Sequence, residues 1–170
     1  MGKRFHSLFG GLLASLTAIY IWLRNGCKRT LRDDELSGDF RTLRTIQAGP
    51  QFVKDAKTAE WRVSSGAFSP PKKDGCISVD LEQLLHADNK ASDALFPGLP
   101  RALGLIAHKI ESLRGEGLTV HHEQVAGNYY HGCISGKPND KLRRRLSRNY
   151  EIVVPFNIEL AEHLAAELIT

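Results

Sequence analysis

From Ser7 to Leu23 the chain runs for 17 residues without a charge (S-L-F-G-G-L-L-A-S-L-T-A-I-Y-I-W-L). That is the shortest helix able to cross a bilayer whose hydrocarbon core is about 30 Å thick. Lys3 and Arg4 flank the run on one side and Arg24 on the other, and Tyr20 and Trp22 sit at the level of an interfacial aromatic belt. The run therefore predicts a membrane anchor, and it forces the remaining chain to fold as a separate unit. A cleaved signal peptide fits less well, because no A-x-A site follows and Arg24 arrives at once. Lipoprotein-type cleavage before Cys27 would want an apolar residue three positions earlier, where Arg24 stands, and myristoylation of Gly2 would want Ser or Thr at position 6, which is His6. Ser7, Gly11 and Ser15 recur every four residues, so one helix face offers a second copy of the chain a close approach.

Charge divides at the same place. The formal net charge is +4, yet Lys3, Arg4, Arg24, Lys28, Arg29 and Arg32 account for six cations in a stretch with no acid. The remainder carries 17 basic against 19 acidic residues, which argues against a generally basic nucleic-acid-binding domain. Four of those cations follow the uncharged run and two precede it, which predicts a cytoplasmic domain at the cell membrane. Cys27, Cys76 and Cys133 are odd in number, widely spaced and without a C-x-x-C, a pattern that argues against a disulfide framework and against a zinc knuckle and predicts a reducing compartment.

Three units follow: an anchor over residues 1–27, a charged connector over 28–39 and one domain over 40–170. Within the domain, Phe40–Ile46 reads as a short first element, and Trp61–Val63 and Cys76–Val79 as strands, with Asp80 placed to cap a helix to about His86. Leu99, Leu103, Ile106, Ile110 and Leu113 follow the spacing of a buried helical stripe stopped by Gly115. Leu118–His122, Tyr130–Ser135 and Ile152–Val154 read as strands, and helices follow from about Asp140 and up to about Ile169. The fold class expected is α+β: a single compact sheet-and-helix domain behind an N-terminal transmembrane helix.

Across residues of about 40 to 156 the order of motifs resembles a family of small, uncharacterised bacterial proteins. In that family R-x-S-S-x-x-F precedes S-V-D and a helix, then N-x-x-H, a glycine five residues on, and a basic helix. The matching positions are Arg62, Ser64, Ser65 and Phe68, then Ser78, Val79 and Asp80, then Asn128, His131 and Gly136. His122-Glu123 replaces the family's Asp-Pro, and Tyr129-Tyr130 its Pro-Ala. The resemblance implies one globular unit and a short list of residues, with no established activity.

Candidate chemistry is densest between Val120 and Arg148. Gly136-Lys137 is not a phosphate loop, since His131 stands where the first glycine belongs and Pro138 where Ser or Thr belongs. The following helix carries Lys141, Arg143, Arg144 and Arg145, and with Lys137 and Arg148 it sets six cations against one acid. Such a field suits the phosphates of a nucleotide, a nucleic acid or an anionic lipid. His121, His122 and His131 suggest a metal, but neighbours on a strand face opposite ways, so no metal and no cofactor is expected. The leading expectation is a membrane-anchored sensor whose domain binds a phosphate-bearing ligand through Asn128, Lys137, Lys141, Arg143, Arg144 and Arg145, the layout of a signalling or defence effector. The alternative is a small metal-independent hydrolase or transferase acting on a phosphodiester, with His131 and His122 as acid and base and Arg62 and Ser64 holding the phosphate.

Overall fold

The structure, a computed structural model, describes residues 16–70 and 75–167. Residues 16–24 are helical (α1), followed by a 3-10 turn at Asp33–Glu35. Eight strands then alternate with short helices: β1 (Arg41–Gln47), β2 (Phe52–Lys54), β3 (Trp61–Val63), a second 3-10 turn (Ser65–Phe68), β4 (Cys76–Leu81) and α2 (Glu82–Ala87). The chain continues through β5 (Ala102–Lys109), α3 (Ile110–Gly115), β6 (Thr119–His122), β7 (His131–Ser135), α4 (Asp140–Leu146), β8 (Glu151–Val154) and α5 (Ile158–Glu167). Six strands form one sheet in the order β6-β7-β4-β1-β5-β8, with every pairing antiparallel, and β2 and β3 form a separate ribbon. The expected α+β class is what the chain adopts.

Alternation along β4, β6 and β7 decides which side chains are left for chemistry. Ile77, Val79, Leu81, Val120 and Ile134 are buried on one face, while Cys76, Ser78, Asp80, His121, His131 and Ser135 share the other. Towards the far edge the pattern breaks down, because β5 is buried at six consecutive positions, Leu103 to His108. That burial corrects one expectation: Leu103 and Ile106 lie on a strand, and only Ile110 and Leu113 belong to the short α3 that follows. A strand covered on both faces is apolar throughout, so a helical spacing can be drawn through it by chance. Gly104 is required there: a Cβ would come 2.4 Å from Cδ1 of Phe156 and 3.1 Å from the Val154 carbonyl oxygen.

The stretch expected as a connector is packed onto the sheet. Leu36 is in the core, the Leu31 amide donates to His122 Nδ1 at 2.8 Å, and Arg114 donates to the carbonyls of Asp33 and Leu36. Of the expected anchor, residues 7–15, with Ser7, Gly11 and Ser15, lie outside the described residues. Among the described residues no helix is long and apolar enough to cross a membrane. One cysteine expectation is overturned as well, since Cys76 and Cys133 are joined in a disulfide across β4 and β7 and Cys27 alone is free. The two cysteines lie 57 positions apart in sequence, and antiparallel pairing of β4 with β7 brings their Cα atoms to 5.6 Å.

Candidate functional site

β1 and β4 pair only at Thr42–Leu81 and Leu43–Asp80, then part. The gap between them is a cleft of about 390 Å³, closed at one end by Gly66 and Ser69 beside the second 3-10 turn and at the other by Asn128 and His131. Arg44 reaches into it from β1. Its Nη1 donates to the Ser78 carbonyl at 2.6 Å, its Nε is buried without a partner, and no carboxylate among the described residues pairs with it. Burial pushes its pKa down to about 10, so it remains a cation at neutral pH. Above Arg44, His108 donates Nε2–H to the Leu146 carbonyl at 3.1 Å, and burial, helped by the Arg44 charge, holds the imidazole neutral.

Asp80 stands at the far end of the cleft. It was expected to cap α2, but Leu81 occupies the cap position and the Asp80 carboxylate instead accepts from Asn128 Nδ2 at 2.8 Å. Asn128 Oδ1 in turn accepts from the Tyr130 amide at 3.0 Å, which fixes the amide's orientation. Desolvation pushes the Asp80 carboxyl above its ordinary range, and the Asn128 hydrogen bond and nearby His131 only partly offset it. His131 donates Nδ1–H to the Glu123 carbonyl at 2.7 Å, which leaves Nε2 as a base or acceptor.

A second pocket, of about 580 Å³, shares Cys76, Ser78 and His131 with the cleft and extends over β6. His121 is held there between two oxygens: Nε2 lies 2.6 Å from Ser135 Oγ and Nδ1 lies 3.0 Å from Asp33 Oδ2. This is the order of a carboxylate, an imidazole and a hydroxyl used to activate a nucleophile. Cys133 Sγ lies 3.2 Å from the same hydroxyl, and Cys76 Sγ lies 4.0 Å from Glu123 Oε2.

The residues singled out from sequence separate into three groups. Asn128 and His131 both line the cleft. His122 is buried, accepting from Leu31 at Nδ1 and donating to the Tyr129 carbonyl at 2.7 Å, so both nitrogens tie the edge of the sheet together. Arg62 and Ser64 are on and beside the β2–β3 ribbon, where Arg62 Nε donates to Asp55 at 2.9 Å and Ser64 accepts from the Gly66 amide at 2.9 Å as the cap of the 3-10 turn. Neither lines the cleft.

The basic helix is shorter and better neutralised than the sequence suggests. Asn139 caps it, accepting from the Leu142 amide at 2.9 Å, and Leu142 and Leu146 are its buried face. Arg143 pairs with Asp140 and donates to Ser69 Oγ at 2.9 Å, while Arg145 pairs with Glu116. Lys137, Lys141 and Arg144 stay exposed. With only seven residues, α4 has little helix dipole to offer an anion.

Arg44, Asp80, Asp33 and the Cys76–Cys133–Glu123 group are the residues that sequence reasoning missed as site components. Arg44 in R-T-L-R-T looks like any strand cation, and its partner Ser78 is 34 positions away. The only local signal was Asp80 in S-V-D, read as a helix cap. Compared with known protein families, with curated proteins and with solved structures, the chain matches none.

Proposed function

We propose that the chain is a membrane-tethered binding protein whose domain takes a phosphate-bearing ligand in the cleft between β1 and β4. One observation carries this reading: Arg44 is a half-buried residue whose guanidinium has a single carbonyl partner, a buried and unsatisfied Nε and no paired carboxylate among the described residues. An unpaired buried cation is costly, and a phosphate is the ligand that offsets that cost, because two of its oxygens match two guanidinium N–H groups. At the other end, Asp80, Asn128 and His131 are suited to hydroxyl groups, so a nucleotide, with phosphate and ribose joined, fits the polarity of the cleft from end to end. The motif residues Ser78, Asp80, Asn128 and His131 all line it. Nucleic acid and lipid headgroups have less support, since two of the helix arginines already have carboxylate partners.

Equilibrium titration of the full-length chain with inorganic phosphate and with nucleoside 5′-monophosphates tests this. Arg44→Gln should weaken binding at least about tenfold, in line with the loss of a charged hydrogen-bonding partner, while Lys141→Gln with Arg144→Gln should leave it unchanged. Equal affinity in Arg44→Gln, or binding that follows the helix cations, sinks the proposal.

The tether is part of the same reading. Its support is the uncharged run and the exposed side chains of Leu16, Ile19, Tyr20, Trp22 and Leu23. The charge bias around the run supports a cytoplasmic domain. Full-length protein recovered in the soluble fraction would remove the anchor, and protease protection of the C-terminus in right-side-out vesicles is expected for this topology.

A hydrolytic second reading has one observation in its favour, the Asp33–His121–Ser135 relay. Ser135 Oγ would bond to phosphorus while its proton passes through His121 to the departing alkoxide, and water would then release the phosphoryl group. The reading requires Ser135→Ala to abolish phosphodiester turnover with ligand affinity retained.

A further inference from the structure

The Cys76–Cys133 disulfide has a carboxylate beside it. The two sulfurs and one oxygen of Glu123 all lie within 4.8 Å of one another, at a rim where Glu123 is exposed. They come from three places, β4, β7 and the turn after β6, and the antiparallel register of β4 with β7 holds the two Cα atoms 5.6 Å apart. In tetrahedral zinc sites Zn–S is about 2.3 Å and Zn–O about 2.0 to 2.2 Å, so ligand atoms sit roughly 3.5 to 4 Å from one another. Opening the disulfide to that spacing needs rotation about the two cysteine side chains and no movement of the strands. The Glu123 backbone is already anchored: its carbonyl accepts from His131 and its amide donates to the His131 carbonyl at 3.1 Å.

Charge gives the same answer. Two thiolates and a carboxylate in one pocket repel one another, and a divalent cation is the group that turns that repulsion into attraction. We propose that the reduced Cys76–Cys133 pair and Glu123 form a binding site for a zinc-class divalent cation, with the fourth place open to water. A low-molecular-weight thiol opens the site: two reductant thiols become one disulfide, and the Cys76–Cys133 bond accepts their two electrons and two protons. The cation then displaces the two protons from the cysteine thiols. A low-molecular-weight disulfide closes it by thiol–disulfide exchange: the Cys76 and Cys133 sulfurs rejoin, the two electrons pass to the exogenous disulfide, which leaves as two thiols after taking up two protons from water, and the cation, stripped of both thiolate ligands, is expelled. The site is therefore gated by redox state, and because Cys76 also lines the Arg44 cleft, the gate opens beside the ligand site.

The test uses the full-length chain in mild detergent, reduced with a phosphine and desalted without oxygen, beside an untreated sample. Equilibrium dialysis against Zn²⁺ should load one equivalent per chain on the reduced protein and none on the untreated one. Co²⁺ in place of Zn²⁺ should give the intense thiolate-to-cobalt absorption of a site with sulfur ligands. Cys27→Ser should keep the site, Cys133→Ser should lose it, and Glu123→Gln should weaken it at least about tenfold, the scale reached even by outer-sphere partners. Glu123 is exposed, so its substitution leaves the fold in place and keeps the test decisive if Cys133→Ser does not fold. Equal zinc loading of reduced and untreated protein, loss of the site in Cys27→Ser, or full affinity in Glu123→Gln would each show the disulfide to be only a structural cross-link.

Discussion

Replacing Arg44 by Met should stabilise the unliganded protein, which is the opposite of what removal of a buried structural residue does. Met has a similar length and no polar atom to desolvate. The fall of the Arg44 pKa from its ordinary guanidinium range to about 10 corresponds to about 3 kcal/mol for keeping the charged form out of water. Against this stands the Arg44–Ser78 hydrogen bond, worth about 1.5 to 3 kcal/mol as a charged one. The buried Nε contributes nothing in return, so the balance favours Met by about 1 kcal/mol, or roughly 2 to 4 °C in Tm for a domain of this size. Ligand should reverse or close the gap: at a hundred times the parent Kd it adds about 2.7 kcal/mol to the parent and, with affinity at least about tenfold weaker, at most about 1.4 kcal/mol to Arg44→Met. Scanning calorimetry of both proteins, with and without a nucleoside monophosphate, reads both effects. A Tm that falls in unliganded Arg44→Met would refute the reasoning, because Arg44 would then be holding the fold together.

Three further outcomes follow from the fold. Gly104→Ala should cost about 1 to 3 kcal/mol by urea unfolding, since the new Cβ meets Phe156 and the Val154 carbonyl. Arg41→Met should cost about 3 to 5 kcal/mol, because Glu82, with its side chain 5% exposed, accepts from the Arg41 guanidinium at both oxygens and would be left a buried carboxylate with no full cationic partner, keeping only the residue 41 backbone amide, Ser92 and His86. Burial depresses the pKa of both His108 and His122, so the unfolded chain binds more protons between those depressed values and about 6.5. Stability should therefore be complete above about pH 6.5 and decline as pH falls through that window, and His108→Gln should flatten the decline.

How far the chain could be read depends on how local each signal is. β3, β4, β6 and β7 were legible because apolar and polar residues alternate along them or a turn bounds them, and α4 because Leu142 and Leu146, four apart, mark its core face. β5 was illegible for the opposite reason: with both faces covered, its sequence keeps no trace of the two-residue period. The site divides in the same way. Asn128 and His131 are three apart, on a turn and the strand it opens, and could be paired from sequence alone. Arg62 looked equally promising but spends its charge on Asp55, seven residues back, while Arg44 has no such neighbour to accept it. The disulfide and the His121 relay depend on strand register and on a turn that crosses β6, neither of which spacing along the chain encodes.

The central claim rests on one N–H group, and NMR can observe it directly. In a ¹H–¹⁵N correlation spectrum of the full-length chain, assigned by loss of the peak in Arg44→Gln, the Arg44 Nε–H should shift downfield and exchange more slowly as a nucleoside monophosphate saturates the protein. A peak that stays in place while ligand binds, or the same response from Arg144 in its stead, would contradict a phosphate seated on Arg44.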